Sequence, residues 1–184
     1  IKDKKNNEIL VTGASGGVGS IAVHLLAKLG YNVTALSGKD KDFLISLGAK
    51  QVLSRNDFKI SKKPLESEKW TAAIDTVGGD ILSTIISQIK YDGIVASTGL
   101  AKSHKLQTTV FPFILRNITL AGVDCVYADF KKRVKAWEFI ADNVNFQILD
   151  EIKTVKTMAD LPKLAESIMS GNIKGRTIIN TNII

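Results

Sequence analysis

Cysteine occurs once, at Cys125, and histidine twice, at His24 and His104. A single cysteine excludes an internal disulfide, and these three residues assemble no zinc-ligand set at any standard spacing. No apolar run reaches the length of a bilayer span, and the opening Ile1-Lys2-Asp3-Lys4-Lys5 lacks the form of a secretory signal. These absences lead to the expectation of a soluble protein in a reducing cytoplasm, with no metal and no membrane partner. The Gly-Lys-Ser/Thr that closes a triphosphate-binding loop is missing, which excludes that class of nucleotide hydrolase. Internal repeats and low-complexity linkers are missing too.

What is present is 184 residues, 45% hydrophobic and 23% charged, enough for one domain plus part of another. The net charge of +7 is spread through the sequence and is not gathered with aromatic residues on one face. It therefore argues against nucleic acid and fits an anionic small molecule better. The chain starts with isoleucine and enters its first strand almost at once, so it is expected to be a fragment of a longer polypeptide.

The most informative stretch is Thr12-Gly13-Ala14-Ser15-Gly16-Gly17-Val18-Gly19-Ser20. It lies between the apolar run Ile9-Leu10-Val11 and a helical pattern of Val18, Ile21, Ala22, Leu25, Leu26 and Leu29. A strand that feeds a glycine-rich turn into a helix suits a pyrophosphate, because backbone can approach closely and the first helical N–H groups face the anion. Aligned on Gly16 and Gly19, the usual G-x-G-x-x-G has Ala14 in place of its first glycine. The stretch reads as a dinucleotide site.

Strand and helix patterns then alternate, the rhythm of a parallel sheet with crossover helices. Strands are expected over 31–36, 49–53, 72–77, 93–97 and 118–123. Between them come a short helix with Phe43, Leu44 and Leu47, a polar loop from Asn56 to Lys69, and a helix with the stripe Ile81, Leu82, Ile85, Ile86 and Ile89. A long loop follows Leu100. A further helix places Phe130, Val134, Trp137, Ile140 and Ala141 on one face. The last forty residues change character: a strand over 151–155, a helix opened by Asp160 with Pro162 in its first turn, and a terminal strand over 175–180. The expected architecture is a Rossmann-type, doubly wound, mainly parallel α/β sheet over residues 1–145, followed by a C-terminal segment, 146–184.

In the NAD-binding version of this fold, a carboxylate about twenty positions beyond the glycines binds the adenosine ribose. Here the second strand ends in Ser37-Gly38-Lys39, and a hydroxyl, a glycine N–H and an ammonium all favour a 2′-phosphate. Arg55, ending the neighbouring strand, adds a second cation. The expected cofactor is NADP(H), with the alternative that Lys39 and Arg55 are ordinary exposed cations. Thr76-Val77-Gly78-Gly79 and Thr98-Gly99-Leu100 are expected to line the same crevice, and Asp75 reads as a structural residue near a strand end.

Taken together, these residues resemble the zinc-independent, quinone oxidoreductase-like branch of the medium-chain dehydrogenase/reductase superfamily, and most closely its acrylyl-CoA reductase group. The resemblance is carried by Val11-Thr12-Gly13-Ala14-Ser15-Gly16-Gly17-Val18-Gly19, Ser37-Gly38-Lys39, Ser46-Leu47-Gly48-Ala49, Ala73-Ile74-Asp75-Thr76-Val77-Gly78, Pro112-Phe113-Ile114-Leu115-Arg116-Asn117 with Gly122-Val123-Asp124, and Gly175-Arg176-Thr177. It implies an NADPH-dependent reductase of an activated C=C bond, in acrylyl-CoA or a related enoyl or quinone acceptor. By motif, Ser15, Gly16, Gly17 and Val18 would hold the pyrophosphate. Ser37, Gly38, Lys39 and Arg55 would surround the 2′-phosphate, and Leu100 and Ile114 would lie along the nicotinamide side. Cys125 stands where the family usually has serine, so a backbone contact would survive there and a hydroxyl contact would not. The resemblance also implies a homodimer joined through the strand at 118–123, and a GroES-like catalytic domain, absent here, to which the C-terminal segment belongs. No catalytic residue is identified, and the isolated fragment is expected to bind cofactor without turnover.

Two other readings remain open. A short-chain dehydrogenase would share Thr12-Gly13-x-x-x-Gly17-x-Gly19, and Tyr127 with Lys131 supplies a Tyr-x-x-x-Lys. However, the serine expected upstream of the tyrosine is Ile114, and no Asn-Asn-Ala-Gly follows the fourth strand. A non-catalytic module that senses NADPH is the second alternative.

Overall fold

The computed structural model describes residues 7–182, and the lysine-rich opening lies outside them. The first half runs β1 (Glu8–Thr12), α1 (Gly17–Lys28), β2 (Asn32–Leu36), α2 (Lys41–Ser46), β3 (Gln51–Leu53), β4 (Trp70–Asp75), α3 (Gly79–Gln88) and β5 (Ile89–Ser97). It continues with α4 (Phe111–Arg116), β6 (Thr119–Gly122), α5 (Phe130–Asn143), α6 (Phe146–Ile152), β7 (Lys153–Thr157), α7 (Leu161–Met169) and β8 (Arg176–Asn180).

β1 to β6 form one parallel sheet in the order β3-β2-β1-β4-β5-β6. The order reverses between β1 and β4, and ligands of open parallel sheets sit beyond the strand ends at such a reversal. β1 is central, and its Ile9, Leu10 and Val11 are buried. Helices cover both of its faces. On one, Val23, Leu44 and Leu47 from α1 and α2 meet Ile152 from α6. On the other, Ile81, Leu82, Ile85 and Ile86 of α3 pack with Trp70 and Val95. The doubly wound parallel architecture read from the sequence is the one observed.

Several local expectations are corrected. The run after Leu100 is not all loop, because Phe111-Pro112-Phe113-Ile114-Leu115-Arg116 closes into α4 with proline in its first turn. Another helix, α6, occupies 146–152, so the strand expected from Glu151 starts at Lys153. Ile89 leaves the α3 stripe and opens β5, paired with Trp70. The Arg116 guanidinium braces that ending. It donates to the carbonyls of Ser87 (2.8 Å) in α3, Ile89 (3.2 Å) at the start of β5 and Glu66 (2.5 Å), and pairs with Glu68 at 3.3 Å, while the last carbonyl of α3, on Gln88, accepts from Lys69 N at 2.8 Å. Asp160 precedes α7 as expected, but its carboxylate turns back and accepts from Thr157 N and Oγ1, closing a 3-10 turn over Met158–Asp160. These bonds, the backbone one first, hold the Asp160 carboxyl below its usual range.

β7 and β8 pair in parallel as a separate two-stranded sheet. Val155, Ile168 and Ile178 of this segment are exposed, and α5 has no buried residue among its Phe130, Trp137 and neighbours.

Arg116→Met should lower the unfolding free energy by about 2–3 kcal/mol, since carbonyls and a carboxylate lose a charged donor. Urea denaturation measures this, and Arg116→Lys should restore only part of the loss because an ammonium lacks the planar fork.

Candidate functional site

The Gly13–Gly19 turn is set by a close approach of helix to strand. A side chain at Gly19 would place its Cβ 2.4 Å from the Gly13 carbonyl oxygen and 2.7 Å from Ala14 Cα, both rigid backbone. Glycine there lets α1 begin directly beneath β1. Gly16 precedes α1 with no side-chain cap, and the first turn carries no acidic residue. The leading N–H groups of α1 therefore face the crevice as anion donors. Ser15 is buried, while Val18 at the turn's edge is half exposed.

The structure adds a residue to this turn that sequence reading left without a role. The Arg176 guanidinium lies over Gly17, so close that a Cβ at Gly17 would stand 2.5 Å from its Nη2. Gly175 brings it there by donating its N–H to the Ser15 carbonyl at 2.7 Å. Gly175-Arg176-Thr177 was legible as a motif, but its contact with a turn near the other end of the chain was not.

At the end of β2, Ser37, Gly38, Lys39 and Arg55 come together. Arg55 lies against Gly38, with Cδ and Nε each 3.3 Å from where a Cβ would be. Lys39 Nζ donates to the Gly171 carbonyl at 2.8 Å, which ties the C-terminal segment to this corner. The Ser37 hydroxyl is buried and bonded, donating to the Lys39 carbonyl at 2.9 Å and sharing a hydrogen bond with the Ser15 hydroxyl at 3.0 Å. Its direct effect is to hold the two loops at a fixed spacing. Asp40 follows in a left-handed conformation (φ 61°, ψ 42°), with its Oδ2 enclosed and unpartnered among the described residues.

Across the switch point, Asp75 is fully buried. Its Oδ1 accepts from Thr12 Oγ1 at 2.7 Å and its Oδ2 from Gly78 N at 2.8 Å. This is the structural role expected of it. Leu100 and Cys125 stand exposed beyond the ends of β5 and β6, Leu100 at 65%. Ile114, expected on the nicotinamide side, is exposed on α4, whose Arg116 bonds the end of α3 and the start of β5, so it lies toward the opposite end of the sheet. Apart from Ile114, the residues chosen from the sequence fall in two groups, a cationic end by β1–β3 and an apolar end by β5–β6. Among the described residues, no three His, Cys, Asp or Glu side chains converge as a metal site.

A glycine turn into an uncapped helix with an arginine above it, at the reversal of a β3-β2-β1-β4-β5-β6 sheet, is a dinucleotide cradle, and residues 17–142 match the zinc-binding dehydrogenase family. The chain belongs to that family. The acrylyl-CoA reductase AcuI of Ruegeria pomeroyi is 42% identical over 177 residues, covering 95% of this chain and 54% of that protein. The yhdH oxidoreductase from Salmonella enterica, solved in complex with NADP, is 45% identical with a TM-score of 0.92, covering 97% of this chain and 55% of that one. The Bacillus subtilis protein yhfP, solved with NAD bound, is 38% identical with a TM-score of 0.87, covering 97% and 56%. The chain therefore spans about half the length of these relatives, and the acrylyl-CoA reductase resemblance read from its motifs holds. No helix among the described residues is long and apolar enough to cross a membrane.

Gly19→Ala should cost about 2–3 kcal/mol in urea unfolding, because rigid backbone must separate. Gly17→Ala should cost less than about 1 kcal/mol, because only the end of a flexible arginine moves.

Proposed function

We propose that this chain is the NADPH-binding half of a reductase that reduces an activated C=C bond, in acrylyl-CoA or a related enoyl or quinone acceptor. One observation carries the cofactor choice: Lys39 and Arg55 flank Gly38 at the ribose end of the crevice, where the NAD-binding version of the fold has a carboxylate. The proteins with NADP and with NAD bound show that relatives of this chain are found with either dinucleotide. The paired cations favour the phosphorylated one here.

The residues present suit this cofactor. The N–H groups opening α1 and the Arg176 guanidinium would hold the pyrophosphate, with Ser15, Gly16, Gly17 and Val18 forming the turn. Lys39 and Arg55 would hold the 2′-phosphate, with Gly38 leaving room and Ser37 fixing the loop. Leu100 and the backbone at Cys125 would line the nicotinamide side. When bound, the cofactor supplies a hydride. The chain's own part is to bind, orient and shield it from water. We further infer that residues 146–184 return to complete a second domain, that the enzyme works in the cytoplasm, and that it is a homodimer. β6 is the sheet edge, an open row of backbone donors and acceptors suited to pairing with a second copy.

The reading is tested by NADPH oxidation with acrylyl-CoA, and with a simple quinone, in a protein carrying both halves. The isolated chain should bind NADPH without turnover. Appreciable reduction by the chain alone would place all catalytic groups within it and overturn the division of labour.

Lys39→Asp should lower the NADPH-to-NADH affinity ratio by about ten- to a hundredfold, while Arg176→Ala should weaken both cofactors equally, since the pyrophosphate is common to them. Fluorescence titration reads both. Sedimentation of the protein with both halves should show a dimer that Thr119→Lys, placing a charge at an exposed position of β6, weakens.

A further inference from the structure

Two cavities lie end to end along α3, on the side of the sheet away from α1. The first, of about 270 Å³, is bounded by Gly78, Leu82, Leu100, His104 and Val123. The second, of about 360 Å³, is bounded by Lys62, Lys63, Ser83, Gln107 and Thr108. Leu106 lines both, so the segment 103–109 is their common wall. From Gly79 to Ser87 the helix beneath them rises about 12 Å.

That wall is fastened to its neighbours. Ser103 N donates to the Val77 carbonyl at 3.4 Å and Gln107 N to Ser83 Oγ at 3.2 Å. Lys102 N anchors the approach on the same Val77 carbonyl at 2.9 Å, and Lys105 N, donating to Ser103 Oγ at 3.1 Å, stiffens the wall itself. Gly78, at φ +72°, allows the contact, since a Cβ there would stand 2.2 Å from the Ser103 carbonyl oxygen. The trough is a formed feature of the fold.

Its two ends differ chemically. The first cavity begins at Leu100, on the nicotinamide side, and is largely walled by leucine, valine and glycine. The second is bordered by Lys62 and Lys63, and Lys105 borders the first beside the shared Leu106. Among the described residues, Lys62 and Lys105 pair with no carboxylate, and Lys63 reaches only Glu66, at 4.0 Å. Glu66 is itself engaged by the Ser61 hydroxyl at 2.5 Å. An apolar passage leading from the nicotinamide side to a cationic basin matches a substrate with its reactive end on a neutral arm and its phosphates at the far end. A quinone has no use for such a basin.

We propose that this trough seats the CoA portion of a thioester substrate, the pantetheine arm along Leu82, Leu100 and Leu106 and the nucleotide phosphates at Lys62, Lys63 and Lys105. The proposal rests on the reading of the chain as the cofactor half of an enoyl-thioester reductase. No covalent step is assigned to the trough. It positions the acyl group by holding the other end of the molecule.

The test is calorimetric titration of the chain with CoA and with 3′,5′-adenosine bisphosphate, after NADPH has filled the dinucleotide site. CoA should bind. Lys62→Glu with Lys63→Glu should weaken it by about tenfold or more, leaving NADPH affinity and melting temperature unchanged. Leu106→Asp should weaken CoA but not the bisphosphate, which lacks the arm. Absence of CoA binding to the NADPH-loaded chain, or equal affinity in the double charge reversal, would overturn the proposal. Failure of NADPH itself to bind, read beforehand by fluorescence, overturns the functional reading instead, and the charge reversals then judge the trough by the same two outcomes.

Discussion

The geometry of the crevice depends on one buried carboxylate. Among the described residues Asp75 makes no ion pair, and a buried carboxyl group is tolerated only when its oxygens are hydrogen-bonded. Thr12 Oγ1 and Gly78 N supply those bonds from the two loops that diverge at the switch point. Thr76 completes the lock, giving its N–H to Thr12 Oγ1 at 3.0 Å and its hydroxyl to the Thr12 carbonyl at 2.9 Å. Moving either loop would leave polar groups unpaired in the interior, at about 1–3 kcal/mol for each. The turn into α1 and the turn into α3 therefore start at a fixed separation. Everything a dinucleotide would touch is measured from there.

Upon that frame, the cationic end is assembled from far-separated parts of the chain. Arg176 arrives with β8, Arg55 with the end of β3, and Lys39 with the turn after β2. None of the three makes an ion pair among the described residues. Their charge is thus uncompensated locally and available to an anion, which agrees with a turn and helix start that carry no carboxylate. Lys39 is not idle, since it donates to the Gly171 carbonyl. The net gain from a phosphate is the difference between a charged acceptor and a neutral one, which is smaller than either bond alone.

The glycine turn, the alternation of elements and the edge position of β6 were legible because each rests on local pattern: periodicity, glycine at a forced approach, and order along the chain. The boundary between α3 and β5 was not. Gln88-Ile89-Lys90 holds no glycine or proline, and the helix ends where the carbonyls of Ser87 and Gln88 accept from Arg116 and from Lys69 N, both distant in sequence. α4 was hidden for a related reason: six residues with a proline in second place offer no helical period to read. At the site, Lys39 and Arg55 were found by their chemistry alone. Arg176 needed a contact across most of the sequence, and the engaged state of the Ser37 hydroxyl needed the partner positions of Ser15 and Lys39. Residue type and spacing report what a side chain can do, whereas competition for its bonds is a tertiary property.

The same distinction explains the apolar end. Leu100 is a large hydrophobic side chain held in water, which a flexible loop would avoid by folding it inward. Here the backbone forbids it. A Cβ at Gly99 would stand 2.4 Å from the Thr76 carbonyl oxygen, so the strand end before Leu100 lies hard against the β4 turn. The exposed surface at Leu100 is therefore preorganised, and covering it with an apolar group removes its unfavourable hydration. A rigid apolar rim across the switch point from a cationic corner suits a molecule that is charged at one end and aromatic at the other.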